Sequence, residues 1–306
     1  MLRYVLRRVL WAVPVVFAIS VMTFLMMHAI PGGPFDREKR LPPEIKANVD
    51  RKYHLDDPLW RQYMDYVAGI ALRFDFGPSY SSQSRTVNDI LRDHLPVSAQ
   101  LGALALGIAL ALGVPLGVIA ALRHNSWVDY CSMLFAVICV SVPSLALGPF
   151  LIWAFALKLH LLPPATWRGP EYMILPAVTL AAAHVALIAR LTRASMLQIV
   201  GEDYIRTARA KGLAERLVMT RHALRNALIP VTTVVGPIFA NLVTGTLVVE
   251  TIFAIPGIGR YFVSSIGDRD YPMIMGTVLL YAFVIILANL AVDTAYVFLD
   301  PRIRYR

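Results

Sequence analysis

Six long apolar runs constrain this chain more than any other feature: residues 9–30, 97–122, 131–157, 173–189, 229–249 and 273–292, none holding an Asp, Glu, Lys or Arg. A hydrocarbon core of ~30 Å needs about 20 apolar residues per crossing helix. Five runs reach or approach that length and 173–189 is the shortest. The runs are continuous rather than alternating, which argues against a membrane β-barrel. In lipid a helix satisfies its own backbone groups. The expected fold class is therefore an all-α membrane protein with six transmembrane helices. Composition agrees, with 57% hydrophobic residues, 16% charged and a mean hydropathy of +0.59. Arg3, Arg7 and Arg8 precede the first run in the manner of a secretory leader. That run is too long for a cleaved apolar region and lacks a small-residue cleavage site, so it reads as an uncleaved first span.

Orientation follows from Lys and Arg in the connections. Three lie at the N-terminus, eight between 190 and 225, and three in the tail at Arg302, Arg304 and Arg306, whereas the connections after spans three and five carry two each. Both termini are expected in the cytoplasm, together with the connection 191–228. The long connection 31–96 balances ten basic residues with ten acidic ones and is expected outside, as a small helical cap. Its helical candidates lie in LPPEIKANVDRKYHL, in DPLWRQYMDYVAGIAL and in VNDILRDHL before Pro96. No linker divides the chain, so 1–306 reads as one membrane domain. The net charge of +9 fits an anionic inner leaflet better than nucleic acid. Cys131 and Cys139, both in the third run, read as packing residues.

The stretch 206–226, RTARAKGLAERLVMTRHALRN, is too basic to enter lipid. Gly212 interrupts it. Beyond the glycine, Leu213, Leu217, Thr220 and Leu224 share one helical face by the 3.6-residue period, flanked by Arg216, Arg221 and Arg225. Such a helix either lies on headgroups or sets its apolar edge into a partner's groove. In the fifth run, Thr233, Asn241 and Thr244 are expected on one face with Pro237, beside a Gly236/Ala240 edge suited to close helix packing. That polar stripe either lines a passage or bonds neighbouring helices. Glu250 and Asp293 are expected at membrane interfaces. Glu250 can cap the turn before Pro256, and Asp293 is a partner for an Arg of the tail. His184 reads as a hydrogen-bonded interior histidine. No catalytic constellation, metal-ligand set or cofactor motif is present. Ser141 or Ser144 with His184 is the one arrangement an intramembrane protease could use.

Several segments carry a family resemblance: LRYVLRRV, PGGPF, LPPEI with KYHLDDPLWRQY, DFGPS, LPVS, ILPAVTL, VVETIFAIPGIGRYF and DPRIRY, together with RTARAKG and RHALRNALIP. They resemble the inner-membrane permease subunits of bacterial ABC importers, in the oligopeptide/dipeptide branch, over nearly the whole chain. The superfamily's cytoplasmic coupling loop reads E-A-A, three residues, Gly, nine residues, I-x-L-P. Gly212 and Ala208 match its glycine and second alanine, and Leu224 its leucine. Arg206 and Thr207 depart from its first two positions and His222 from its isoleucine, in the variant form of the peptide permeases.

The resemblance implies a type I importer permease fold working by alternating access in the bacterial cytoplasmic membrane. It implies an ATPase-coupling surface at Arg206, Thr207, Ala208, Lys211, Gly212, Leu213, Leu217 and His222, and it places Glu250 near an outer gate as an alternative to the turn-capping role; with the polar stripe of Thr233, Asn241 and Thr244, Glu250 is expected along the translocation pathway. It further implies a second, different permease subunit, one or two cytoplasmic ATP-binding subunits and a periplasmic or lipid-anchored peptide-binding protein. The chain has no G-x-x-x-x-G-K-[ST] phosphate loop, so ATP chemistry would reside on another chain. The alternative is an ion-coupled secondary transporter; against it, no run carries the charged residue that would bind a coupling ion at mid-membrane.

Overall fold

The computed structural model describes residues 2–35, 51, 53–82, 84–244 and 246–299. Its described elements are helices α1 (Leu2–Ala29), α2 (Leu59–Arg73), α3 (Val87–Leu122), α4 (Trp127–Ser141), α5 (Ser144–Leu151, continued by a π-helical segment Ile152–Lys158), α6 (Pro170–Val200), α7 (Asp203–Ala210), α8 (Glu215–Leu217, continued by a π-helical segment Val218–Ala223), α9 (Leu224–Ala227), α10 (Ile229–Thr244), α11 (Leu247–Ile252), α12 (Gly259–Asp268) and α13 (Tyr271–Leu299). Among the described residues, five helices are long and apolar enough to cross a membrane, or six if a bent pair counts as one span.

That pair corrects the expectation of one continuous third span. Helices α4 and α5 meet at 101°. Pro143 is the cause. The residue before a proline avoids the helical region, and Val142 is extended at φ −89°, ψ 114°. In the fifth run, α10 is described through Thr244 and α11 from Leu247, and together they count as one candidate span, Ile229–Ile252. VNDILRDHL is not a separate helix. It forms the first turns of α3, which continues through Pro96. Most of LPPEIKANVDRKYHL lies outside the described residues, as does the tail that Asp293 was expected to meet.

Two compact units divide the described chain, one formed by 97–256 with the segment from 287 onward, the other by 2–96 with 257–286. In the first unit, Ala105 and Ala109 of α3, Ala181, Val185 and Ile188 of α6, and Val231, Ile238 and Leu242 of α10 form one buried cluster. Small residues let these backbones approach. A Cβ on Gly117 would lie 2.5 Å from the Ala189 carbonyl oxygen, and one on Gly236 would lie 3.2 Å from the Ala288 backbone of α13. The Gly236/Ala240 edge therefore packs as the sequence suggests, with both residues buried.

The second unit buries Phe24 and Met27 of α1 with Met275 of α13, and Val87, Ile90 and Leu91 of α3 with Ile258 and Met273. Asp270 caps α13. Its Oδ1 accepts from the Met273 backbone N–H, and its Oδ2 accepts from the Ser79 hydroxyl and from the Ser81 N–H and hydroxyl. An aspartate at this position satisfies a donor that the helix itself leaves unpaired. Helix α12 had no counterpart in the sequence reading. Its ten residues, GRYFVSSIGD, are too few and too polar to register as a span.

Candidate functional site

The basic stretch folds as two arms around a tight turn. In α7, Ile205 and Ala208 fall on one face and are buried, while Arg206, Thr207 and Arg209 are exposed. The helix ends in a reciprocal pair of bonds: the Gly212 N–H reaches the Arg209 carbonyl at 2.9 Å, and the Leu213 N–H reaches the Ala208 carbonyl at 3.4 Å. This closure needs a left-handed residue just past the helix, and Gly212 supplies it at φ +76°. A Cβ there would meet nothing within 4 Å, so the glycine serves backbone conformation rather than close approach. Arg209 donates through Nη2 and Nε to the two carboxylate oxygens of Glu215, at 2.8 and 3.1 Å, across the turn. That pairing holds the Glu215 carboxyl below its usual range. Asn226 donates to the Tyr204 hydroxyl at 2.8 Å, tying the second arm to the first.

The expected apolar face of the second arm is corrected here. Val218, Met219, Ala223 and Ala227 are buried, joining Ile205, Ala208 and Met196 in one cluster. Leu213, Leu217 and Thr220 are exposed, and Leu224 and His222 are half-buried. Leu213 lies before the helix, which starts at Glu215, and the π-helical segment Val218–Ala223 follows Leu217. Its i→i+5 bonding rotates the register away from a 3.6-residue period. The outcome is a firmly seated element whose outer side shows Leu213 and Leu217 at 36% and 39% exposure, together with Arg206, Thr207, Lys211 and Gly212.

The root of this element is pinned by residues that sequence reasoning missed. Arg193, two turns before the end of α6, donates through Nε and Nη2 to the two oxygens of Asp129 in α4, both at 2.7 Å. Asp129 is buried. His124 Nδ1 lies 3.4 Å from the same carboxylate. The two forked groups match in shape, which makes such a pair directional as well as strong. Their separation of 64 residues is why the sequence alone gives no signal.

Along α10, Thr233, Pro237 and Asn241 recur every fourth residue and are all exposed, a polar stripe on an otherwise apolar helix. The Thr233 hydroxyl bonds the Ile229 carbonyl. Thr244 does not share that stripe. It is buried and donates to the Ala240 carbonyl of its own helix. Glu250 is also buried, at 2% exposure. One carboxylate oxygen accepts from the Ser98 hydroxyl of α3 and from the Thr246 hydroxyl, both at 2.5 Å. Its backbone carbonyl accepts the Ile255 N–H at 2.8 Å, closing the turn before Pro256. His184 donates from Nδ1 to the Leu180 carbonyl of its own helix. The Ser141 hydroxyl likewise donates to a carbonyl of its own helix, that of Val137. Among the described residues no group of His, Cys, Asp and Glu could hold a metal ion.

Comparison with known proteins places this geometry in context. Residues 113–305 match the family model described as binding-protein-dependent transport system inner membrane component, and residues 1–102 match the model of that component's N-terminal part. The chain is 48% identical to the dipeptide transport system permease protein DppB of Bacillus subtilis, over 99% of this chain and 98% of that one. It is 46% identical to the oligopeptide transport system permease protein OppB of Escherichia coli K12, over the whole of both chains. It is 41% identical to the glutathione transport system permease protein GsiC of Shigella flexneri, again over the whole of both. Among solved structures, a chain of the inward-facing MetNI methionine ABC transporter superposes with a TM-score of 0.56 at 19% identity, covering 69% of this chain and 96% of that one.

Proposed function

Because the chain belongs to the family of binding-protein-dependent transport system inner membrane components, and is a multi-pass membrane permease, we propose that it carries peptides across the cytoplasmic membrane as one half of an ATP-driven importer. The named relatives handle dipeptides, oligopeptides and glutathione, and short peptides are the class common to them. Family membership sets aside the ion-coupled alternative. A second permease subunit completes the passage, ATP-binding subunits work from the cytoplasmic side, and a binding protein delivers cargo from outside.

The observation that carries the reading is the two-armed element 203–227. One side is locked into the core by Ile205, Ala208, Val218 and Ala223. The other offers Leu213 and Leu217 with a basic rim to solvent. An anchored element with an apolar, charged outer side suits a partner's groove and can pass a partner's movement into α6 and α10. The passage runs along the Thr233–Asn241 stripe, whose exposed polar groups suit a hydrated substrate. Thr244 and Glu250 act behind it, as buried supports.

The test is transport by the assembled complex in proteoliposomes. Gly212→Trp and Arg206→Glu are expected to leave membrane insertion intact while ATP hydrolysis continues without peptide uptake. Wild-type ratios of uptake to hydrolysis in both variants would overturn the assignment of this element.

A further inference from the structure

A cavity of about 190 Å³ lies within the unit formed by 2–96 and 257–286. Its walls come from the last turns of α1, from α2, from the segment 76–80 and from the start of α13. Since one membrane-crossing helix ends there and another begins, the cavity sits at the membrane boundary.

Five lining rings follow one another as a continuous wall. Centroids are 4.2 Å apart for Phe24 and His28, 4.9 Å for His28 and Tyr271, 6.3 Å for Tyr271 and Tyr80, and 4.9 Å for Tyr80 and Tyr53. Neighbouring rings meet at 37° to 61°, so the wall curves around the space instead of stacking flat. Asp65 also lines the cavity, and none of its described lining residues is Lys or Arg. Tyr66 lines it too, and its hydroxyl is buried without a hydrogen-bond partner among the described residues. Burial, with Tyr80 adding to it, pushes the Tyr66 phenol far above the usual tyrosine range, so its oxygen stays neutral.

Tyrosine at a membrane boundary is ordinary. A curved aromatic wall with one carboxylate, no lysine or arginine among its described lining residues, and an unpartnered hydroxyl is more specific, and the imidazoles of His28 and His54 also line it. Ring faces attract cations, and most strongly when the cation is shed of water. We propose that this cavity binds an organic ammonium group, carried by a lipid headgroup or by a free amine. The rings surround the cation, Asp65 balances its charge, and the Tyr66 oxygen accepts its N–H or a neighbouring O–H.

The experiment uses the full chain in nanodiscs of phosphatidylglycerol, whose headgroup has no amine. Choline is titrated and followed by saturation-transfer NMR, beside its uncharged carbon isostere 3,3-dimethyl-1-butanol. Saturable choline binding is expected, with the isostere weaker by about tenfold. Tyr80→Leu and Asp65→Asn are each expected to weaken choline by about tenfold. Asp65 is exposed, so its variant tests the site without disturbing the core. In discs that also contain phosphatidylethanolamine, loss of the choline signal identifies a lipid headgroup as the occupant and its persistence a free amine; either supports the site. Equal binding of choline and the isostere, no choline binding in phosphatidylglycerol discs, or undiminished binding by Asp65→Asn would overturn the proposal.

Discussion

The same turn is built twice in this chain, once in solvent and once beside a buried acid. After α7, the Gly212 and Leu213 N–H groups return to the Arg209 and Ala208 carbonyls. After α11, the Ala254 and Ile255 N–H groups return to the Thr251 and Glu250 carbonyls at 3.3 and 2.8 Å. Both closures demand a left-handed residue. The first uses Gly212 at φ +76°, the second Ala254 at φ +50°. A glycine takes that conformation freely, whereas a residue with a Cβ gives up roughly 1–2 kcal/mol. The second turn must therefore be held from outside. Its holders are visible: the Glu250 carboxylate accepts from Ser98 of α3, Thr166 N–H bonds the Phe253 carbonyl at 2.8 Å, and Phe253 and Ile255 are buried on either side of the exposed Ala254. Across the first turn itself runs the Arg209–Glu215 pair, exposed to water. A freely formed turn suits a surface that engages and releases a partner. A braced turn suits a fixed corner where a span ends.

The largest effect should come from removing the brace. Glu250→Ala deletes the acceptor of the Ser98 and Thr246 hydroxyls, at a cost of about 1–3 kcal/mol. Glu250→Gln keeps an acceptor oxygen and should lose less than about half of that. Thermal denaturation of the purified chain in one detergent orders the three proteins. An alanine variant as stable as wild type would mean that the turn holds itself, and the contrast with Gly212 would fail.

How much of this was open to sequence reasoning depends on range. The apolar runs located the five helices among the described residues that are long and apolar enough to cross a membrane, since twenty apolar residues have few other uses. The exposed basic turn was also legible, because Arg206, Lys211 and Arg209 cannot enter lipid and Gly212 marks a break. The face of the second arm was not. Leu213, Leu217, Thr220 and Leu224 align at 3.6 residues per turn, but the π-helical segment at 218–223 carries Val218 and Ala223 inward instead, and no local residue announces it. Thr233 and Asn241 were expected on one stripe and are both exposed, whereas Thr244, expected beside them, is buried. The burial of Glu250 had no local signal, because its partner Ser98 lies on a helix 152 residues away. Asp129 with Arg193 escaped notice for the same reason. The proline break at Val142 was written in the sequence, yet a proline within an apolar run more often sits in an unbroken membrane helix, and the run alone does not choose between them.

A smaller effect tests the two left-handed positions by exchange. Ala254→Gly relieves the strained backbone and should stabilise the chain by up to about 1 kcal/mol, less the extra freedom that glycine gains when unfolded. Gly212→Ala should destabilise the α7 turn by about 1 kcal/mol, although its Cβ meets open space. Global melting should report the first change. The second is local, and is read by amide hydrogen exchange of Gly212 and Leu213. Opposite signs sharpen the comparison, and equal signs break it.

The smallest effect concerns the bracing pair of the solvent turn. Hydrogen bonding from Arg209, aided by its charge, lowers the Glu215 carboxyl below its ordinary 4.5. A depressed carboxylate stabilises the folded turn at pH above its ordinary value, and that contribution is lost as pH falls through the lowered folded value. Both groups are exposed, so salt screens the pair and the contribution is slight. Amide exchange of the segment 209–217, corrected for the intrinsic pH dependence of exchange, should show the turn loosening as pH drops below 4.5. Glu215→Gln should remove that dependence, and added salt should shrink it in the wild-type chain. The Ala254 turn, with no such exposed pair across it, should show no matching step. A step of equal size in both turns would mean that acid loosens the whole unit, and that the solvent turn is not braced separately by its own ion pair.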